Sequence, residues 1–200
     1  MAVAEMPGKV RADVRYYRNF ARSRGRLEIT VAREATVAGE MFEALVQLHT
    51  ENWAERGEAG VLADPAVLGW HREALPGLLL AGLLRMCALR LDGEVIAVLY
   101  SLVDPMGRGG GMSAAGRTQY FYLIGHSMEH ADLHPGTLLT AMAVEGAAEE
   151  GVGTIDMLRG EEAYKRFWRV ERVPTYGFRV RRDALGGVLE GTGVGVKMGG

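Results

Sequence analysis

The chain has 200 residues, of which 48% are hydrophobic, enough for one domain with a full core and little room for a second. A formal charge of −2 argues against nonspecific nucleic-acid or anionic-membrane binding, which needs a basic footprint. Its single cysteine, Cys87, rules out an internal disulfide framework, and no apolar run reaches membrane-spanning length. The residues before Lys9 lack the apolar centre of a signal peptide, so a reducing, cytoplasmic setting is expected.

Residues 1–8 read as a loose arm. Between Val10 and Arg24, Val14, Tyr17 and Ala21 recur at helical spacing among arginines, a basic amphipathic helix stopped by Gly25. Leu27, Ile29 and Val31 alternate along the first strand. Met41, Leu45, Leu48 and Trp53 then share one face of a long helix between Gly39 and Gly57. Asp64 followed by Pro65 caps a second helix, which Pro76 is expected to kink or end. Asp92–Gly93 between two β-rich runs is the clearest hairpin signal.

A glycine-rich stretch, 107–116, connects to a further strand at 119–124. It resembles a phosphate loop in composition only, because no lysine followed by serine or threonine closes it. A helix opens at His134, Pro135, Gly136, Thr137 and buries Leu138, Leu139, Met142 and Ala143. A strand at 153–158, a short charged helix from Glu161 and a last strand at 173–181 follow, ahead of a glycine-rich tail too poor in packing groups to order. One parallel crossover in a mixed α/β sheet is the simplest arrangement of these elements.

The working centre is expected at 151–168, where ionisable groups crowd a strand, a turn and a helix start. Asp156 interrupts an apolar strand and so must be paired or face a cleft, with Arg159 or Lys165 as its partner. Tyr164 offers a phenolic proton, against the plainer alternative of an aromatic packed on a helix face with Trp168. Arg159, Glu161, Glu162 and Lys165 read equally well as a solvated, ion-paired helix start. The amides after Pro135 suit an anion, as those of any helix start do. His126, Glu129 and His130 spell an inverted zinc-protease pattern, but barely two turns separate Gly125 from Pro135, and no metal is expected. Trp53, Arg56, Gly57 and Gly60 form a glycine-punctuated helix exit, either an anchored end or the lining of an acceptor pocket.

HPGTLL at 134–139, DMLRGEEAYKRFW at 156–168 and WAERGEAGVL at 53–62 together resemble the acetyltransferase-like domain of the GNAT superfamily associated with cellulose and exopolysaccharide biosynthesis, related to Fem-type aminoacyl transferases. The resemblance implies a GNAT fold over residues 26–182, with residues 1–25 as an added arm and basic helix, a linker or homodimer contact, and 183–200 as a disordered tail. It implies acetyl-CoA as co-substrate, lying where strands 119–124 and 153–158 splay. Leu123 and Ile124 would meet its thioester arm, and His134, Gly136, Thr137 and Leu138 its pyrophosphate. His134 stands where relatives carry serine. Tyr164 would protonate the departing thiolate, Glu162 or Asp156 would take the amine proton, and Trp53, Arg56, Arg159 and Lys165 would hold the acceptor. The implied activity is N-acyl transfer, most simply of acetyl, to an amine of a small molecule or sugar. The alternatives are aminoacyl transfer from charged tRNA and a non-catalytic scaffold in polysaccharide biosynthesis.

Overall fold

A computed structural model describes residues 7–105, 116–160, 162–174, 177–178 and 193–194. The chain forms two compact units, Met1–Arg169 and Val170–Gly200. The larger unit holds a mixed α/β fold in the order α1 (Gly8–Arg24), β1 (Leu27–Val31), α2 (Ala35–Ala54), α3 (Pro65–Leu80), β2 (Leu84–Leu91), β3 (Glu94–Val103), β4 (Thr118–His126), α4 (Pro135–Glu149), β5 (Thr154–Asp156) and α5 (Ala163–Phe167). The five strands lie in sequence order across one sheet, antiparallel from β1 to β4 and parallel between β4 and β5.

Local chemistry sets most of these boundaries. The two-residue turn between β2 and β3 places Asp92 at φ 50° and Gly93 at φ 92°, the left-handed pair that matches strand twist in a tight hairpin. Asp92 also accepts from the amide of Arg26 at 2.7 Å, which ties the start of β1 to that turn. Asp64 caps α3 by accepting from the Ala66 amide at 2.8 Å. Pro76 does not end α3, and the helix runs on to Leu80. Leu75 is buried and Leu78 and Leu79 pack on the core, so tertiary burial on both sides of the proline offsets the lost backbone bond.

Helices α2 and α3 cover one face of the sheet, where Met41, Phe42, Leu45, Leu62 and Leu75 meet Met86, Ala88, Val98 and Tyr100. Helix α4 covers the other face. The basic helix α1 lies on α4, held by the two hydrogen bonds of Arg18 to Glu145 at 2.8 and 2.7 Å and by Tyr17, whose ring stands 4.1 Å from that of His134. Cys87 is buried at the sheet centre, where desolvation pushes its thiol up to about 12 and keeps it protonated. Among the described residues, no helix is long and apolar enough to cross a membrane.

The smaller unit contains an antiparallel pair, β6 (Gly177–Phe178) with β7 (Gly193–Val194). The expected last strand at 173–181 is therefore strand only at Gly177–Phe178 among the described residues, and its partner comes from the glycine-rich tail. The rest of that tail and the glycine-rich stretch 107–115 lie outside the described residues.

Candidate active site

Strands β4 and β5 pair at Thr118 with Thr154, Gln119 with Ile155 and Tyr120 with Asp156, and there the pairing stops while β4 continues to His126. The parting has a local cause. The Asp156 carboxylate accepts from the Leu158 amide at 2.7 Å, closing a side-chain turn that puts Leu158 at φ 57° and swings the chain away from β4. Asp156 is thus held by backbone; neither Arg159 nor Lys165 is the partner expected for it. The result is a wedge bounded by β4 from Phe121 onward and by the chain from Met157 to Gly160.

One edge of the wedge is distorted. Tyr100 pairs with Leu123 and Ser101 with Phe121, so Tyr122 is an extra residue, a bulge in β4. The bulge brings Tyr122 toward α3 and Tyr100, while Leu123 packs on the same core. Ile124 and His126 turn instead to the start of α4, where a Cβ added to Gly136 would meet His126 Cδ2 at 3.2 Å and Ile124 Cδ1 at 3.9 Å. A Cβ there would crowd the His126 ring, so glycine eases the close approach of the first turn of α4 to the strand.

At that turn Pro135 has no N–H, and the amides of Gly136 and Thr137 have no partner among the described residues. The Leu138 amide donates to the His134 carbonyl at 3.0 Å and its side chain is fully buried, so Leu138 supplies neither a free donor nor a contact surface. His134 sits at φ 51°, ψ 51°, an unusual conformation for a non-glycine residue, with its ring against Tyr17. The stretch from His126 to His130 is a strand end and a turn rather than a helix, and His130 Nδ1 lies 3.2 Å from Ser127 Oγ. Among the described residues no three His, Cys, Asp or Glu side chains gather into a metal-holding group.

The opposite lip is built by Lys165. Its buried ammonium donates to the carbonyls of Leu158, Arg159 and Gly160 at 3.3, 2.7 and 3.3 Å and pairs with Glu162 at 2.8 Å. The three protons of this ammonium are directed at the loop and Glu162, so Lys165 clamps the loop. Burial pushes the Glu162 carboxyl up, but the hydrogen bond from Lys165, together with the charges of Lys165 and Arg56, holds it below the usual carboxylate range. Tyr164 is 42% exposed, and partial burial beside Glu162 pushes its phenol up to about 12, so it stays protonated. Arg159 is exposed. Trp168, 1% exposed, anchors α5 from below.

The end of α2 closes the site. Asn52 clamps the backbone of His126 from both sides, donating to its carbonyl at 2.8 Å and accepting from its amide at 3.0 Å. Arg56 stacks over Trp53 at 5.2 Å, and Gly60, at φ 71°, lies so close to His49 and Trp53 that no side chain fits. The charge of Arg56 reaches His49, His126 and Glu162. Of the residues expected to hold the acceptor, Trp53 and Arg56 therefore share one end of the wedge with Glu162. Sequence reasoning missed Asn52, Tyr122 and His71. Asn52 was discoverable, since with His49 it places polar groups on the buried stripe of Leu45 and Leu48; a bulge leaves no such mark in a continuous apolar run.

A mixed sheet whose parallel pair parts beside free helix-start amides makes a cleft with unpaired donors at its mouth. The chain belongs to the acetyltransferase (GNAT) domain family, whose model matches residues 8–166. No curated protein matches it in sequence. Its fold is similar to that of an aminoglycoside acetyltransferase from an uncultured soil metagenomic sample, at 14% identity and TM-score 0.55 over 78% of this chain and 99% of that one. A second such enzyme from the same kind of source, in complex with sisomicin, aligns at 16% identity and TM-score 0.51 over 78% and 97%. A possible acetyltransferase from Clostridium difficile 630 aligns at 13% identity and TM-score 0.54 over 78% and 99%.

Proposed function

We propose that this protein transfers acetyl from acetyl-CoA to an amine of a small molecule or amino sugar. The observation that carries the reading is the wedge after Tyr120 and Asp156, with the unpaired amides of Gly136 and Thr137 at its mouth. Those amides and the dipole of α4 would receive the pyrophosphate. The pantetheine arm would lie along Leu123 and Ile124, taking over hydrogen bonds that β5 does not make. The amine nitrogen attacks the thioester carbon as the carbonyl electrons move to oxygen; collapse reforms the carbonyl and breaks the C–S bond. Asp156, directly or through water, takes the proton lost by the amine, and Tyr164 gives its phenolic proton to the leaving thiolate. Glu162, paired with Lys165 and held below the usual carboxylate range by it, serves to set the loop. An acceptor carrying positive charge suits the end of the wedge bordered by Asp156 and by Asp104 near Tyr120. The amino-sugar choice also follows the aminoglycoside enzymes that share the fold. Neither charged tRNA nor a polysaccharide scaffold gains support from any feature of this site.

Calorimetric titration with acetyl-CoA and CoA, followed by a thiol-release assay against a panel of amines and amino sugars, tests the reading. Saturable acetyl-CoA binding and thiol release that depends on amine are expected. Absence of binding at millimolar ligand would remove it.

A further inference from the structure

His71, on α3, is 1% exposed and has no role in the reaction as derived so far. Its ring is enclosed by aromatic neighbours, with centroids of Trp70, Tyr100, Tyr122 and Phe42 at 4.8, 5.4, 5.5 and 5.8 Å. Its Nε2 lies 3.5 Å from the Tyr122 hydroxyl, while Nδ1 is shielded from solvent and has no hydrogen-bond partner among the described residues. Tyr122 is itself the bulged residue of β4, just past the last β4–β5 pair, and is 38% exposed. A buried polar cluster aimed at the one distorted point of the wedge is not needed to fill a core; phenylalanine and leucine would do that without an unmet nitrogen.

The unmet Nδ1 fixes the direction of the contact. A buried N–H without an acceptor is rarer and costlier than a buried lone pair without a donor. The neutral ring therefore carries its proton on Nε2 and donates it to the Tyr122 oxygen. Tyr122, partly exposed at the bulge, then keeps its own O–H free to donate, and the hydrogen bond it receives strengthens the one it gives. Around His71 the facing groups are the phenols of Tyr100 and Tyr122; no carboxylate contributes to its surroundings, and burial lowers its pKa below the ordinary imidazole value. Burial favours the neutral ring.

We infer that Tyr122 is a catalytic residue, donating its hydroxyl hydrogen to the thioester oxygen as that oxygen becomes negative, and that His71 is the positioning residue that orients this hydroxyl. No proton is transferred by either; the electron pair that moves onto oxygen during amine attack returns when the C–S bond breaks, and the hydrogen bond is strongest in between. The inference rests on the acetyl-transfer reading above and adds to it a side-chain oxyanion donor beside the strand.

Tyr122→Phe is expected to lower kcat about 10²-fold, the usual effect of deleting one oxyanion donor, with acetyl-CoA affinity by calorimetry unchanged. The same loss is expected in the slow hydrolysis of acetyl-CoA by water, a readout that needs no known amine. His71→Leu should lower kcat and add little in the Tyr122→Phe background, whereas His71→Gln, which keeps a donor near Nε2, should recover much of the loss. Nitrogen-15 NMR of the unliganded protein should find the His71 proton on Nε2, with a shift that moves in Tyr122→Phe. Unaltered turnover in Tyr122→Phe with acetyl-CoA bound, additive losses in the double variant, or a proton on Nδ1 would each overturn the inference. A failure of acetyl-CoA to bind appears separately in the titration and removes the underlying reading instead.

Discussion

A buried ammonium is tolerable only when each of its protons finds an acceptor, and Lys165 finds four oxygens within 3.3 Å. Replacing it by Met keeps the volume but leaves the Leu158, Arg159 and Gly160 carbonyls and the Glu162 carboxylate without their donor. A loss of about 2 kcal/mol in urea-denaturation stability is expected, together with weaker acetyl-CoA binding as the lip of the wedge loosens. Retained stability with lost activity would return Lys165 to a direct role in acceptor binding. Tyr164 differs in kind. It is partly exposed, its phenol is held protonated, and no hydrogen bond of its side chain stabilises the fold among the described residues. Tyr164→Phe should lower kcat about 10²-fold with folding stability and CoA affinity nearly intact; unaltered turnover would end its assignment as proton donor.

Between elements, the position of α2 against β4 fixes the strand end that borders the wedge. Gly125 lets the helix backbone approach so closely that an added Cβ would meet the His49 nitrogen at 2.9 Å and Leu48 Cβ at 3.0 Å. Asn52 then locks the register with its paired bonds to His126, and His126 in turn lies under the first turn of α4. Asn52→Ala strips one buried backbone N–H and one buried C=O of their partners. A cost of about 2 kcal/mol is expected, read from the urea midpoint, and with it a several-fold weaker affinity for CoA, because the strand end that supports Gly136 loses its tether. If stability falls while CoA affinity stays, the clamp is a structural device alone. Asn52→Asp, which keeps the acceptor but not the donor, should fall between the two.

For the whole molecule, the sequence made the order of elements legible because turns and caps are written in single residues: Asp92–Gly93 gave the hairpin, Asp64 and Pro65 a helix start, Pro135 another. The wedge was legible too, through the resemblance and through Asp156 breaking an apolar strand. What stayed hidden depends on backbone geometry that no residue type announces. The bulge at Tyr122 sits in an unbroken apolar run, and the carbonyls that hold Lys165 belong to any sequence that makes that loop. Burial also sets a property no composition shows. His49, His71 and His126 all have pKa values lowered by burial, with the charge of Arg56 lowering His49 and His126 further. In the unfolded chain these imidazoles return to about 6.5, so below that pH the unfolded state binds protons that the folded state refuses. Their contribution to stability is therefore complete above pH 6.5 and is lost as the pH falls toward the depressed folded values. Each fully titrating histidine adds at most about 1.4 kcal/mol per pH unit to that decline. Urea midpoints measured from pH 7.5 down to pH 5 should fall steadily, and His49→Leu should flatten the slope. A midpoint constant over that range would mean that the three rings exchange protons with solvent as freely when folded as when unfolded.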